Sequence, residues 1–125
     1  MIADTTFVSD LLRERQRGQR GAAETFLARH RAQNVRLSII TAGEIAVTFT
    51  NNAATWDWLD HWKIYRLHPG VVSAAVDIDR ELIRRGARLG ENDNWIAGFA
   101  RSYSEPLISR DEAFDRVQGL RRLAY

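Results

Sequence analysis

The stretch Met1-Ile2-Ala3-Asp4-Thr5-Thr6-Phe7-Val8 places an acidic residue directly after a very short apolar run. The run predicts a buried strand that ends at Asp4. From Phe7 onward the apolar residues recur at helical spacing, which predicts a helix to about Arg15. A strand that ends on a carboxylate and leads at once into a helix is typical of an α/β sheet with a polar site at its edge.

The rest of the chain repeats this alternation of strand and helix. Further strands are predicted over 35–40, 64–67, 107–108 and 120–123, and helices over 22–32, 41–49, 53–62, 71–85, 95–103 and, as a single turn, 112–116. Thr41 and the pair Asn92 and Asp93 are expected to cap their helices, and Pro69-Gly70 to form a turn. The alternation predicts a three-layer α/β/α sandwich with a central, mainly parallel sheet, as a single domain over residues 1–125.

The composition excludes several classes of site. The 125 residues contain no cysteine, which excludes disulfides, thiolate catalysis and cysteine-ligated zinc. No apolar run approaches the ~20 residues that a membrane helix requires. The acid at position 4 falls where a signal peptide has its basic and apolar regions. We therefore expect a cytoplasmic protein with no membrane partner.

Arginine supplies nearly all of the positive charge, because Lys63 is the only lysine. The planar guanidinium binds phosphate bidentately, which indicates a phosphate-rich partner, although a GC-rich genome also favours arginine codons. Two groups of arginines can follow an RNA backbone or form ordinary solvated helix faces beside neighbouring acids. These are Arg13, Arg15, Arg17 and Arg20 after the first helix, and Arg80, Arg84, Arg85 and Arg88 on the long one.

Three of four acids fall at the rim beyond the carboxyl ends of the predicted strands, and the fourth, Glu44, is expected to point back at the same rim. Asp4 closes the first strand, Glu44 lies one helical turn after the second, Asp93 opens a helix, and Asp111 follows Ile108 by three residues. In open parallel sheets ligands bind beyond the carboxyl ends of the strands. Carboxylates that converge on one rim repel each other, and a divalent cation removes that conflict. Hard oxygen ligands favour Mg²⁺ or Mn²⁺ over zinc. Taken singly, each acid is more simply explained as a helix cap or a turn residue, and it is their joint placement at one edge that favours a metal site.

Three hydroxyl residues adjoin the acids: Thr5, Thr6 and Ser109. Their hydroxyl groups are able to hydrogen-bond carboxylates or metal-bound water, or to serve only as caps and turn residues. The histidines lie away from the acids, so that a ribonuclease with a pair of catalytic histidines is unsupported.

At these residues the sequence resembles the PIN-domain family, and within it the VapC-type toxins of toxin–antitoxin pairs. The first segment has the family's hydrophobic strand followed by aspartate and threonine, and Gly98 stands where alanine is usual. The matching segments are 2–8, Thr41-Ala42-Gly43-Glu44-Ile45, Asn92-Asp93-Asn94-Trp95-Ile96-Ala97, and 107–120 with Ser109-Arg110-Asp111 and Val117-Gln118-Gly119-Leu120.

The resemblance implies a metal-dependent endoribonuclease that leaves a 5′-phosphate and a 3′-hydroxyl. It implies a cognate antitoxin that masks the site, and a homodimer. The predicted catalytic and metal-binding residues are Asp4, Glu44, Asp93 and Asp111. The alternative is a PIN-like module that binds RNA or protein without cutting, and the retention of all four acids argues against it.

Overall fold

A sheet of five short parallel strands forms the centre of the molecule. In the computed structural model, which describes residues 1–125, the strands are β1 (Ile2–Ala3), β2 (Arg36–Ser38), β3 (Ile64–Tyr65), β4 (Leu107–Ile108) and β5 (Arg122–Leu123). Their order in the sheet is β3-β2-β1-β4-β5. The N-terminal strand β1 is therefore central, with Ile2 paired to Arg36 on one side and to Leu107 on the other.

Six α-helices and one 3₁₀ helix connect the strands. They are α1 (Thr5–Arg17), α2 (Ala22–Arg29), α3 (Ile39–Ala46), α4 (Asn52–Asp60), α5 (Pro69–Arg84), α6 (Glu91–Ser102) and the 3₁₀ helix (Glu112–Arg116). No helix combines the length and the apolar character needed to cross a bilayer.

The sheet separates two hydrophobic cores. Successive strand residues point to opposite faces, so Ile2 and Leu107 join a core with α5 and α6, whereas Ala3 and Ile108 join a core with α1, α2 and α3. Helices therefore cover both faces of a parallel sheet. The predicted three-layer α/β/α sandwich is confirmed.

A glycine permits the close packing of α5 on α6. A Cβ atom added at Gly98 would lie 2.8 Å from the Cβ of Ala75 and 3.1 Å from its backbone. Nearby, the Asn94 side-chain amide donates to the Ala75 carbonyl at 2.9 Å. An alanine at position 98 would push the two helices apart here.

Helices α3 and α5 each begin two residues earlier than predicted. Ser38, not Thr41, caps α3, and its hydroxyl accepts from the Thr41 N–H at 3.0 Å. Strand β2 consequently ends at Ser38, short of the predicted residue 40. Pro69 begins α5 instead of forming a turn, with His68 as the cap. Proline suits the first turn of a helix because its φ is fixed and its missing N–H has no partner there.

The predicted capping of α6 by Asn92 and Asp93 is wrong. Gly90 occupies the N-cap position, and α6 begins at Glu91. Asn92 and Asp93 therefore lie inside the first turn, where a carboxylate is favoured by the helix dipole. Because neither side chain caps the backbone, both are available to the neighbouring elements.

Candidate active site

The central strand ends on a carboxylate that is held at both oxygens. Asp4 follows β1 and caps α1, with Oδ1 accepting from the Phe7 N–H at 2.6 Å. Its Oδ2 accepts from the Ser109 hydroxyl. Only 3% of the residue is exposed. The orientation of this carboxylate is therefore fixed by the chain itself.

The charge of Asp4 lacks a cationic partner. Burial raises the pKa of Asp4 to about 6, although the hydrogen bonds from Ser109 and Phe7 lower it. The carboxylates of Asp93 and Asp111 raise the pKa further by repulsion. Three of the predicted acids thus act on one another electrostatically at this rim.

One buried hydroxyl connects the ends of β1 and β4. Ser109 follows β4 and is fully buried. Its Oγ donates to Asp4 and accepts from the Asp111 N–H at 3.0 Å. Asp111 in turn caps the 3₁₀ helix by accepting from the Ala113 N–H at 2.8 Å. The position of the Asp111 loop relative to Asp4 therefore depends on this serine.

Glu44 is oriented by two neighbours from different helices. One carboxylate oxygen accepts from the Thr5 hydroxyl, and the other accepts from the Asn92 side-chain amide at 2.7 Å. The sequence assigned Asn92 only to capping. Nothing in the sequence beyond its position next to Asp93 indicated this contact, which depends on the approach of α3 to α6.

Asp93 is the acid that the protein leaves without a donor. It is half-buried, and its carboxylate accepts no hydrogen bond from another protein group. Burial raises the pKa of Asp93, and the charges of Asp111 and Glu44 raise it further. A carboxylate in this state is suited to a cation or to an ordered water.

Asp4 is buried, Glu44 and Asp93 are half-buried and Asp111 is exposed, so that solvent reaches three of the four acids. None of the four acids forms a salt bridge. No three aspartate, glutamate or histidine side chains lie close enough together to hold one ion between them. Mg²⁺ keeps several of its waters and is usually bound through one or two carboxylates, so the residues present fit this ion. Thr6 forms no hydrogen bond with the acids.

An arginine braces the loop that carries Asp111. Arg122 of β5 contacts both carboxylate oxygens of Asp115, at 2.8 Å and 2.7 Å. It also donates to the Ser109 carbonyl at 3.1 Å. Hydrogen bonds of this kind orient the residues that contact a metal or substrate.

Replacing Ser109 by alanine is expected to weaken both fold and site. The change leaves an oxygen of Asp4 and the N–H of Asp111 without a partner. A loss of ~1–3 kcal/mol in the free energy of unfolding is expected from such a buried deletion. Urea unfolding measures it. The control is Ser73→Ala on the exposed face of α5, for which we expect a change below ~0.5 kcal/mol. Equal effects of both changes would contradict the proposed link.

Comparisons with known proteins identify the family of the chain. The family model of the PIN domain matches residues 1–120. Comparison with the curated proteins found no match.

The similar solved structures are toxin–antitoxin proteins of low sequence identity. The VapBC2 structure from Rickettsia felis, bound to a promoter DNA fragment, has a TM-score of 0.82 at 15% identity, covering 99% of this chain and 97% of that one. DNA-bound VapBC from Salmonella typhimurium has a TM-score of 0.82 at 18% identity, with coverages of 98% and 96%. VapBC-1 from nontypeable Haemophilus influenzae has a TM-score of 0.79 at 21% identity, with coverages of 98% and 96%.

At such identities the solved structures establish the shared fold, whereas the family model covers nearly the whole chain. The sequence motifs, the parallel sheet and the acidic rim at its carboxyl edge agree with that match. The chain belongs to the PIN domain family.

Proposed function

We propose that this protein is a metal-dependent endoribonuclease and the VapC-type toxin of a type II toxin–antitoxin pair. The observation that supports the proposal is the pair of acids at the rim, Asp4 and Asp93, that no cation offsets. Asp4 and Asp93 both have raised pKa values, chiefly through burial and also through neighbouring carboxylates, and neither has a cationic partner. A divalent cation is the ligand that relieves this repulsion.

The four acids have distinct roles in this proposal. Asp4 and Asp93 would bind Mg²⁺ or Mn²⁺ directly, and Glu44 and Asp111 would hold its waters, since no three acids lie within reach of one ion. Thr5 and Ser109 orient Glu44 and Asp4 through the hydrogen bonds described above. When bound, the cation supplies Lewis-acid stabilisation of the charge on the scissile phosphate and lowers the pKa of water.

The chain itself contributes to cleavage by positioning the attacking water. A water oxygen attacks phosphorus in line, and the bond from phosphorus to the 3′ oxygen breaks. The water's proton passes to solvent, because Asp93 as a ligand of the cation would be too weak a base to hold it. The 3′ oxygen takes a proton from solvent, which leaves a 3′-hydroxyl and a 5′-phosphate.

The second candidate is a PIN-like module that holds RNA or a protein without cutting it. The absence of three acids within reach of a single ion favours this candidate. The two functions differ in their dependence on a metal. Binding alone requires neither a divalent cation nor all four acids.

Incubation of the purified protein with total RNA, in Mg²⁺, in Mn²⁺ or in EDTA, tests the proposal. We expect fragments with 5′-phosphates in either metal and none in EDTA. Treatment with a 5′-phosphate-dependent exonuclease identifies the new ends. Cutting that resists the chelator would contradict the metal mechanism, and RNA binding without cutting would favour the second candidate.

The proposed partner is a small antitoxin protein. We also propose that residues 1–125 form a single domain, and that two copies of the chain associate as a homodimer in the cytoplasm. The similarity to VapBC assemblies supports the partner. Co-expression with the protein encoded beside this gene, followed by size-exclusion chromatography with light scattering, measures both associations. We expect a stable complex and a dimeric mass for the toxin alone.

A further inference from the structure

A basic groove lies beside the acidic rim. We use this name for the groove of about 490 Å³ whose cationic lining is Arg13, Arg17, Arg20 and Arg110. Only one of its lining residues is hydrophobic. A concave, arginine-rich and largely polar surface is suited to a chain of phosphates rather than to an apolar ligand.

The groove begins at the proposed active site. Arg110 lies between Ser109 and Asp111, and its guanidinium contacts Asp10 at 2.9 Å. Arg13 contacts the other oxygen of Asp10 at 3.4 Å. Both arginine side chains remain largely exposed, at 58% and 65%. Asp10 therefore holds two guanidinium groups side by side without burying them.

The far end of the groove carries two arginines that no carboxylate holds in an ion pair, although Asp10 and Glu14 also line the groove. Arg17 and Arg20 are exposed and form no salt bridge. Glu14, the acid expected to pair with them, keeps its negative charge at the groove but turns its carboxylate to backbone N–H groups instead of to an arginine. Its carboxylate accepts from the N–H groups of Gly21, Ala23 and Glu24 at 2.9–3.0 Å and thereby caps α2. The interpretation of this face as an ordinary balanced helix surface therefore fails for these two arginines.

The dimensions match a short single strand. Helix α1 starts at the Asp4 cap and has 13 residues, which gives a length of ~20 Å. A stacked strand with a rise of ~3.4 Å per nucleotide places roughly six nucleotides along that distance. A second groove of about 490 Å³, lined by Arg15, Arg20 and Arg31 among others, continues beyond Arg20.

We propose that the basic groove binds the sugar-phosphate backbone of the RNA substrate and leads it from Arg20 to the acidic rim. The inference rests on the proposed nuclease function and adds the path of the substrate. Arginine contacts to phosphate position a strand without reading its sequence. The groove therefore sets affinity, and base preference lies elsewhere.

The test compares two double variants of equal charge change. R17Q/R20Q removes the unpaired groove arginines, and R80Q/R84Q removes two exposed, unpaired arginines of α5. The probe is a fluorescein-labelled uridine oligomer of about 12 nucleotides, within the usual site size for single strands. Fluorescence anisotropy in EDTA measures binding without cleavage, over a series of salt concentrations.

We expect R17Q/R20Q to weaken binding roughly tenfold and to lower the salt slope by about 1.4, at ~0.7 per lost phosphate contact. R80Q/R84Q is expected to change the Kd less than about twofold. Equal weakening by both variants would attribute the effect to net charge and overturn the inference. The inference would also be overturned if R17Q/R20Q bound RNA as tightly as the wild type but bound a polyglutamate peptide more weakly. That result would assign the groove to a protein partner.

Cleavage kinetics separate this inference from the proposed function. In Mg²⁺ we expect R17Q/R20Q to raise KM and leave kcat unchanged, since the lost contacts act equally on bound substrate and transition state. If the wild type cleaves RNA and R17Q/R20Q has the same KM, the proposed role of the groove is overturned and the nuclease assignment stands. Arginine-dependent binding by a wild type that does not cut contradicts only the nuclease assignment.

Discussion

Replacing Asp93 by asparagine is expected to remove RNA cleavage while leaving the fold at least as stable as the wild type. The carboxylate has no protein donor, and its pKa is raised by burial and by the charges of Asp111 and Glu44. Neutralising it therefore relieves repulsion in the metal-free protein. The same change removes a proposed metal ligand, whose loss is worth several kcal/mol of transition-state stabilisation, or on the order of 10³-fold in rate.

Initial rates on a labelled RNA in Mg²⁺ measure the first effect, and thermal unfolding in EDTA measures the second. The matched control is Asp77→Asn, because Asp77 is an exposed aspartate of α5 with no salt bridge. We expect wild-type rates from the control and a small upward shift in Tm from Asp93→Asn. A variant that cuts RNA at the wild-type rate would remove Asp93 from the mechanism.

The contribution of Asp4 to the stability of the metal-free protein is expected to fall as the pH rises from about 4 to about 6. Burial raises the pKa of Asp4 from an ordinary value of 3.8 to about 6 in the folded chain. Between these values the native state binds more protons than the unfolded state, so stability decreases with pH. The difference corresponds to an order of ~3 kcal/mol, fully present below about pH 4 and lost above about pH 6.

Urea unfolding in EDTA across this range measures the effect, with Asp4→Asn as the reference that lacks the titrating group. As the pH rises, we expect the free energy of unfolding of the wild type to decrease relative to that of Asp4→Asn. Added Mg²⁺ is expected to stabilise the wild type more at pH 7.5 than at pH 5, because the ion binds the deprotonated carboxylate. Parallel pH profiles for the two proteins would contradict the account of Asp4.

The sequence was sufficient to predict the layers of the fold and the edge where the acids lie. Asp4 and Asp111 follow short apolar strands, and parallel strands bring their carboxyl ends to one edge. The residues that hold the acids were only partly predictable. Ser109 and Thr5 were expected because they adjoin the acids in sequence. The Asn92 contact to Glu44 was missed, because it spans 48 residues and depends on how closely two helices approach.

Helix boundaries show a related limit. Several residues near the start of α3 and of α6 are able to cap the helix. Tertiary structure determines which of them occupies the N-cap position. Ser38 caps α3 while Thr41 turns inward, its hydroxyl contacting the Ala3 carbonyl at 3.4 Å. At α6 a glycine outcompeted two good capping residues, which left Asp93 free of local backbone contacts.

Charge pairing was the least predictable property. Glu14 lies one helical turn from Arg17, a spacing that predicts an ordinary ion pair. In the fold its carboxylate is used by three backbone N–H groups of the next helix. Arg17, three residues from Glu14 in sequence, therefore has no ion pair with it, because Glu14 makes contacts that only the three-dimensional structure reveals.

The most direct measurement is anomalous diffraction from crystals of the protein soaked in Mn²⁺. The account predicts an anomalous peak at the carboxyl edge of the sheet, about 2.1 Å from carboxylate oxygens of Asp4 and Asp93. The peak should vanish in Asp93→Asn crystals treated in the same way. Wild-type crystals that show no manganese at this rim, or show it only at acids elsewhere on the surface, would contradict the account.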